Sequence, residues 1–162
     1  MNEIDWNQKL KEALDRTEFM AISTIFEGET WTNPVAFAYD EKINLYFISK
    51  MASRHSENIL KNPKVSVAVY KTERFVSGDV LGLQIKGEAK HLTDKEEIKA
   101  AAAYYFERGH GNDEFRNKTA ERAGAEAPWQ FFKVTPIEVW CFDSREFGSE
   151  RKLTPLDIIE LG

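Results

Sequence analysis

The sequence has 162 residues, a formal net charge of -5, 42% apolar and 30% charged residues, which fits one soluble globular domain and leaves no room for a second. The acidic balance argues against a nucleic-acid partner, since phosphate binding needs a basic patch, and the single cysteine, Cys141, excludes a disulfide framework and the usual thiolate zinc sites. Charge-free stretches fall far short of the ~18 apolar residues of a membrane helix, and residues 1–6 lack the basic and apolar regions of a secretory signal, so a cytoplasmic protein without a membrane partner is expected.

Trp6, Leu10 and Leu14 recur every fourth residue among charged neighbours, predicting an amphipathic helix over about residues 3–16. Residues 20–26 and 30–39 read as strands joined by the turn Glu27-Gly28-Glu29, and Asp40-Glu41-Lys42 turns the chain into a third strand, 43–49. A short helix of about two turns is predicted between Ser53 and Lys61, stopped by Asn62-Pro63. Val65, Val67 and Val69 alternate along strand 64–70. A polar loop around Arg74 to Asp79 leads into strand 80–92, in which Leu81, Leu83 and Ile85 share one face while Gly82, Gln84 and Lys86 take the other.

Thr93-Asp94 with Glu96 and Glu97 opens a helix running to about Arg108, which Gly109-His110-Gly111 ends. A more polar helix is expected over 113–123 and an irregular linker over 124–128. Residues 131–134 and 137–142 complete the strands, with Pro136 as a break or bulge. About six strands on short turns, with helices between and outside them, predict a mainly β (α+β) fold: a six-stranded antiparallel barrel over about 19–142, with peripheral helices and a tail, 143–162.

The segment Ile48-Ser49-Lys50-Met51-Ala52-Ser53-Arg54-His55-Ser56 places chemistry where a strand gives way to a helix. Ser53 suits the N-cap, and the first-turn amides with the positive end of the helix dipole favour an anion. Two hydroxyls, Ser49 and Ser53, and two potential cations, Arg54 and His55, crowd the same corner, and the guanidinium fork matches phosphate oxygens. A capped helix with solvated charges is the competing reading. His55, His91 and His110 have no ligand spacing among themselves or with Cys141, so no metal site is expected. Cys141 reads as a small core residue, and Trp129 and Trp140 as core aromatics or stacking partners.

Residues 32–39, 45–49, Ser53-Arg54-His55 with Asn58, and 62–69 resemble, in order and spacing, the FMN-binding split barrel family typified by pyridoxamine 5'-phosphate oxidase. Gly82-Leu-Gln-Ile-Lys-Gly87 and Val134-Thr-Pro136-Ile-Glu-Val-Trp140 extend the resemblance over roughly residues 19–142. It implies a single FMN-binding split-barrel domain whose flavin phosphate is held by Ile48, Ser49, Ser53 and Arg54, with His55 where the family usually has lysine. It further implies an isoalloxazine ring along Asn33, Pro34, Val35 and Ala36, Gln84 as a flavin partner or a surface strand residue, and a homodimer that completes the pocket.

The resemblance implies a flavin-dependent oxidoreductase acting on a small molecule. The pyridoxamine phosphate oxidases carry an Arg-x-His pair near the C-terminus, which the segment Ser144-Arg-Glu-Phe-Gly-Ser-Glu-Arg-Lys152 lacks. The alternatives are a non-catalytic carrier or sensor of flavin or of another flat cofactor such as haem or a deazaflavin, and a cofactor-free interaction module.

Overall fold

Val65, Val67 and Val69 turn one face of their strand into apolar surface, and the same two-residue alternation along the other strands gives the chain several such faces to bury together. The computed structural model describes residues 4–71, 79–114, 116 and 127–162. The elements in order are α1 (Trp6–Asp15), β1 (Phe19–Phe26), β2 (Glu29–Tyr39), β3 (Leu45–Lys50), α2 (Arg54–Lys61), β4 (Lys64–Tyr70), β5 (Leu81–His91), α3 (Lys95–Glu107), β6 (Trp129–Asp143), α4 (Ser144–Phe147) and β7 (Arg151–Leu153). The expected polar loop up to residue 78, most of the expected helix 113–123 and the start of the linker lie outside the described residues.

The strands follow the order β3-β2-β1-β4-β5-β6, all pairs antiparallel, and β6 returns to pair with β3. Six strands thus close the predicted barrel. Glu27 and Gly28 both have positive φ, 51° and 80°, the pattern of the tight two-residue turn whose twist suits a hairpin. At the next turn the Asp40 carboxylate accepts from Lys42 N, Asn44 N, Asn44 Nδ2 and Tyr46 OH at 2.8–3.0 Å.

Two expectations need correction. Residues 131–134 and 137–142 belong to one strand of 15 residues, because Pro136 falls at a bulge that absorbs its missing N–H. Lys86 faces Glu138 and Gly87 faces Pro136, leaving Ile137 as the extra residue. The tail is also more than a tail: β7 pairs with the end of β6, Thr154 N donates to Val139 O, and Leu161 N donates to Glu41 O. Three exposed residues in β7 carry no alternation from which a strand is read.

The barrel interior holds Met20, Ile22, Phe37, Phe47, Val67, Leu83, Phe132 and Val139, all buried. Leu10 and Leu14 of α1 close the end beside Tyr39 and Asp143, and Ile59 of α2 joins the core at the opposite end, where Asn62 Nδ2 donates to Ile25 O. On the outside, α3 covers β2, β3 and β6 through Ala38, Tyr46, Ile48, Ile98, Ala101, Tyr105 and Phe131. Elsewhere the outer sheet carries a row of facing residues, Pro34, Ala21, Ala68, Gln84, Trp140 and Leu153, one each from β2, β1, β4, β5, β6 and β7.

Candidate functional site

The end of β3 turns its alternation to chemical use. Leu45 and Phe47 point into the core and Ser49 continues that face at the rim, under the start of α2. Its hydroxyl lies 2.6 Å from His55 Nε2 and 3.0 Å from Ser53 Oγ. Ser53 Oγ donates to Ser56 Oγ at 2.8 Å and lies 3.3 Å from His55 Nε2. Ser49, His55 and Ser56 are all buried, so three hydroxyls and one imidazole form a compact polar nest. Burial pushes the His55 pKa below its usual value, which keeps the ring neutral at neutral pH.

Ser53 does occupy the N-cap of α2, but its hydroxyl makes no capping bond and the first-turn amides have no side-chain cap. Donors at a helix N-terminus beside hydroxyls that both give and accept are matched to an anion's oxygens. Arg54 is adjacent in sequence yet outside the nest: exposed, its guanidinium stacks on Trp31 of β2, 4.7 Å from the ring centre. Ile48 faces the other way, into the cluster beneath α3.

Along β2, Asn33 and Val35 lie on the inward side and Pro34 and Ala36 on the outward side, with Asn33 Nδ2 bonded to Pro34 O. Gln84 is not gathered with these residues. In its row of the sheet it stands three strand steps from Pro34, roughly 14 Å at the usual spacing. Its side chain is exposed, as its face predicts, and accepts from Arg151 Nη1 at 2.9 Å. Arg151 also lies over Trp140 at 5.4 Å. Together with Phe142, Ser149 and Glu150 they line a groove of about 510 Å³.

Sequence reasoning missed Trp31 and Arg151, and read Trp140 as a core aromatic or a stacking partner. Trp140 is only half-buried and Trp129 is exposed, so neither is the core aromatic that was one of its expected roles. Cys141 is buried in the core as expected, and burial pushes its thiol up to about 11, far from a nucleophilic thiolate. His110 Nε2 is engaged with Phe37 O at 2.8 Å, and His91 Nε2 with Gln130 Oε1 at 3.1 Å. Among the described residues no three His, Cys, Asp or Glu side chains are grouped to hold a metal ion, and no helix is long and apolar enough to cross a membrane.

A closed antiparallel split barrel with a serine–histidine nest at a strand-to-helix junction is the class of protein that fold and site define together. The chain belongs to the pyridoxamine 5'-phosphate oxidase family, whose sequence model matches residues 6–141. No curated protein matches it by sequence. It is similar in structure to ChuZ from Campylobacter jejuni, with a TM-score of 0.76 at 14% identity, covering 100% of this chain and 64% of that one. A heme binding protein from Mycobacterium smegmatis gives 0.73 at 12% identity, covering 97% and 60%. HutZ, the heme storage protein from Vibrio cholerae, gives 0.65 at 17%, covering 82% and 91%. At such identities the likeness is one of fold, and the chain spans less than two thirds of the length of the first two.

Proposed function

We propose that this protein binds FMN, with the phosphate at the nest of Ser49, Ser53 and His55 beside Arg54 and the ring along residues 33–36, and works as a homodimeric oxidoreductase on a small molecule. The observation that carries the reading is the nest itself, the buried Ser49 hydroxyl and the half-buried Ser53 hydroxyl bonded to a neutral imidazole at a helix N-terminus without a side-chain cap. Family membership adds to it. Bound FMN accepts a hydride or single electrons. The chain's own part is to grip the phosphate, orient the ring and limit water.

The Ser49 and Ser53 hydroxyls would turn to donate to a phosphate, Ser53 giving up its bond to Lys50 O at 2.8 Å, and the phosphate's negative charge would raise the proton affinity of His55 and so favour the positively charged ring. A second copy of the chain suits the remaining groups. Gln84, Trp140 and Arg151 stand too far along the sheet to share one ring edge with Pro34 in the same subunit, and the outer face between them carries small Ala21 and Ala68. Phe19 and Leu153 remain 55% and 52% exposed there, apolar surface that a symmetric partner would cover.

A second reading, haem binding, is favoured by two structural neighbours, the heme binding protein from Mycobacterium smegmatis and the heme storage protein HutZ. Each histidine has its Nε2 engaged, His55 with Ser49, His91 with Gln130 and His110 with Phe37 O, so an imidazole axial ligand would have to bind iron through Nδ1 or give up that bond. Titration of apo-protein with FMN, followed by flavin fluorescence, tests the first reading, and the Soret region after haem addition tests the second. With charge-assisted bonds worth about 1.5–3 kcal/mol, Arg54→Ala is expected to weaken FMN binding by about one to two orders of magnitude and to leave riboflavin binding unchanged. An unaltered ratio of the two affinities removes the phosphate from this corner.

A further inference from the structure

Trp31 belongs to none of the segments that point to a ligand, yet α2 is fastened to it twice. Its ring takes the Arg54 guanidinium at 4.7 Å and is itself 39% exposed, so the stack stands open to solution. One turn further along α2, Asn58 Nδ2 donates to Thr24 Oγ1 at 3.0 Å, and the Thr24 hydroxyl donates to the Trp31 carbonyl at 3.3 Å. Residues four apart share a helix face. The Trp31 ring therefore takes Arg54 directly, while its carbonyl is tied to Asn58 through the Thr24 hydroxyl. Thr24 and Asn58 are buried, which makes that second fastening expensive to break.

A free arginine gives up much rotamer freedom when it grips an anion, whereas one already stacked on an indole has given up part of it beforehand. We infer that Trp31 is a positioning residue, holding the Arg54 guanidinium in place for the FMN phosphate. The inference rests on the phosphate reading above and goes beyond it by assigning a residue that touches Arg54 and not the nest. Its effect falls on ligands that carry a phosphate and spares those that do not.

The apo-protein is titrated with FMN and with riboflavin, and the ratio of the two affinities is the readout. Trp31→Ala is expected to lower that ratio roughly three- to tenfold, while Trp31→Phe, which keeps an aromatic face, retains most of it. Trp31→Leu, a milder change than alanine, is expected to follow alanine and serves if the alanine variant does not fold. In an Arg54→Ala background Trp31→Ala is expected to change the ratio no further. A ratio unchanged or raised by both Trp31→Ala and Trp31→Leu overturns the inference, as does a further loss in the Arg54→Ala background. If Arg54→Ala lowers the ratio and the Trp31 variants do not, the positioning role alone falls. If Arg54→Ala leaves the ratio unchanged, the phosphate reading falls and takes the positioning role with it.

Discussion

His55 is the residue whose proton the surrounding fold resists. Burial lowers its folded pKa below the ordinary value near 6.5, so the unfolded chain takes up the proton first as pH falls. The stability it contributes is complete above about pH 6.5 and is lost as pH drops through the folded value. Thermal midpoints should therefore decline as pH falls below about 6.5, and the decline should be shallower in His55→Gln whatever that variant's absolute stability; parallel slopes would clear His55 of the effect. The nest was legible because Ser49, Ser53 and His55 lie within seven residues of one another in sequence, across a strand-to-helix switch whose geometry is predictable. Trp31 was not, since its contact with Arg54 joins two segments 23 positions apart through a ring and a guanidinium that carry no periodic signal.

The β5–β6 ladder depends on the absence of a side chain at one point. A Cβ on Gly87 would stand 2.6 Å from Thr135 O and 3.1 Å from Val134 Cγ1, and a backbone oxygen yields only if the strands part. Gly87→Ala is expected to cost about 1–3 kcal/mol in denaturant unfolding. Gly28→Ala meets nothing within 4 Å and strains only a positive φ, so its cost should be about 1 kcal/mol. A Gly87→Ala loss well below about 1 kcal/mol would show that the β5–β6 ladder yields to the added Cβ without parting. A different tie holds α1 to the end of β6. Although burial disfavours its charge, Asp143 is held well below the usual carboxylate range by Arg145 and Lys9, the latter 2.6 Å away. This contribution is complete above about pH 4 and is lost at lower pH, so the native chain should show an acid limb that Asp143→Asn flattens while losing about 1.5–3 kcal/mol at pH 7. Strand positions were readable from alternating valines and leucines. The merging of two segments into β6 was not, because a proline signals a bulge and a break alike.

For the molecule as a whole, the exposed apolar groups on the outer sheet lead to an expected dimer mass in light scattering at micromolar concentration with FMN present; a monomer mass under those conditions would remove the two-subunit site. Pyridoxine phosphate and pyridoxamine phosphate are expected to be poor substrates, because the tail lacks the Arg-x-His pair, and steady oxidation of either would show that the tail does not decide specificity. Barrel closure was legible as an expectation only through the order and number of strands. The pairing that performs it, β3 with the first part of β6, joins residues from Leu45↔Val134 to Lys50↔Trp129, 79 to 89 positions apart, a distance no local pattern reaches.

That closure also has a consequence in time. A ribosome adding roughly 5–20 residues per second completes β1 to β4 several seconds before it delivers the strand that seals β3. In that interval the early four-strand sheet has unpaired edges at β3 and β4, the strands that only β6 and β5 later cover. Soluble yield should therefore fall steeply with expression rate and recover when a holdase chaperone is co-produced, even though the finished barrel hides both edges.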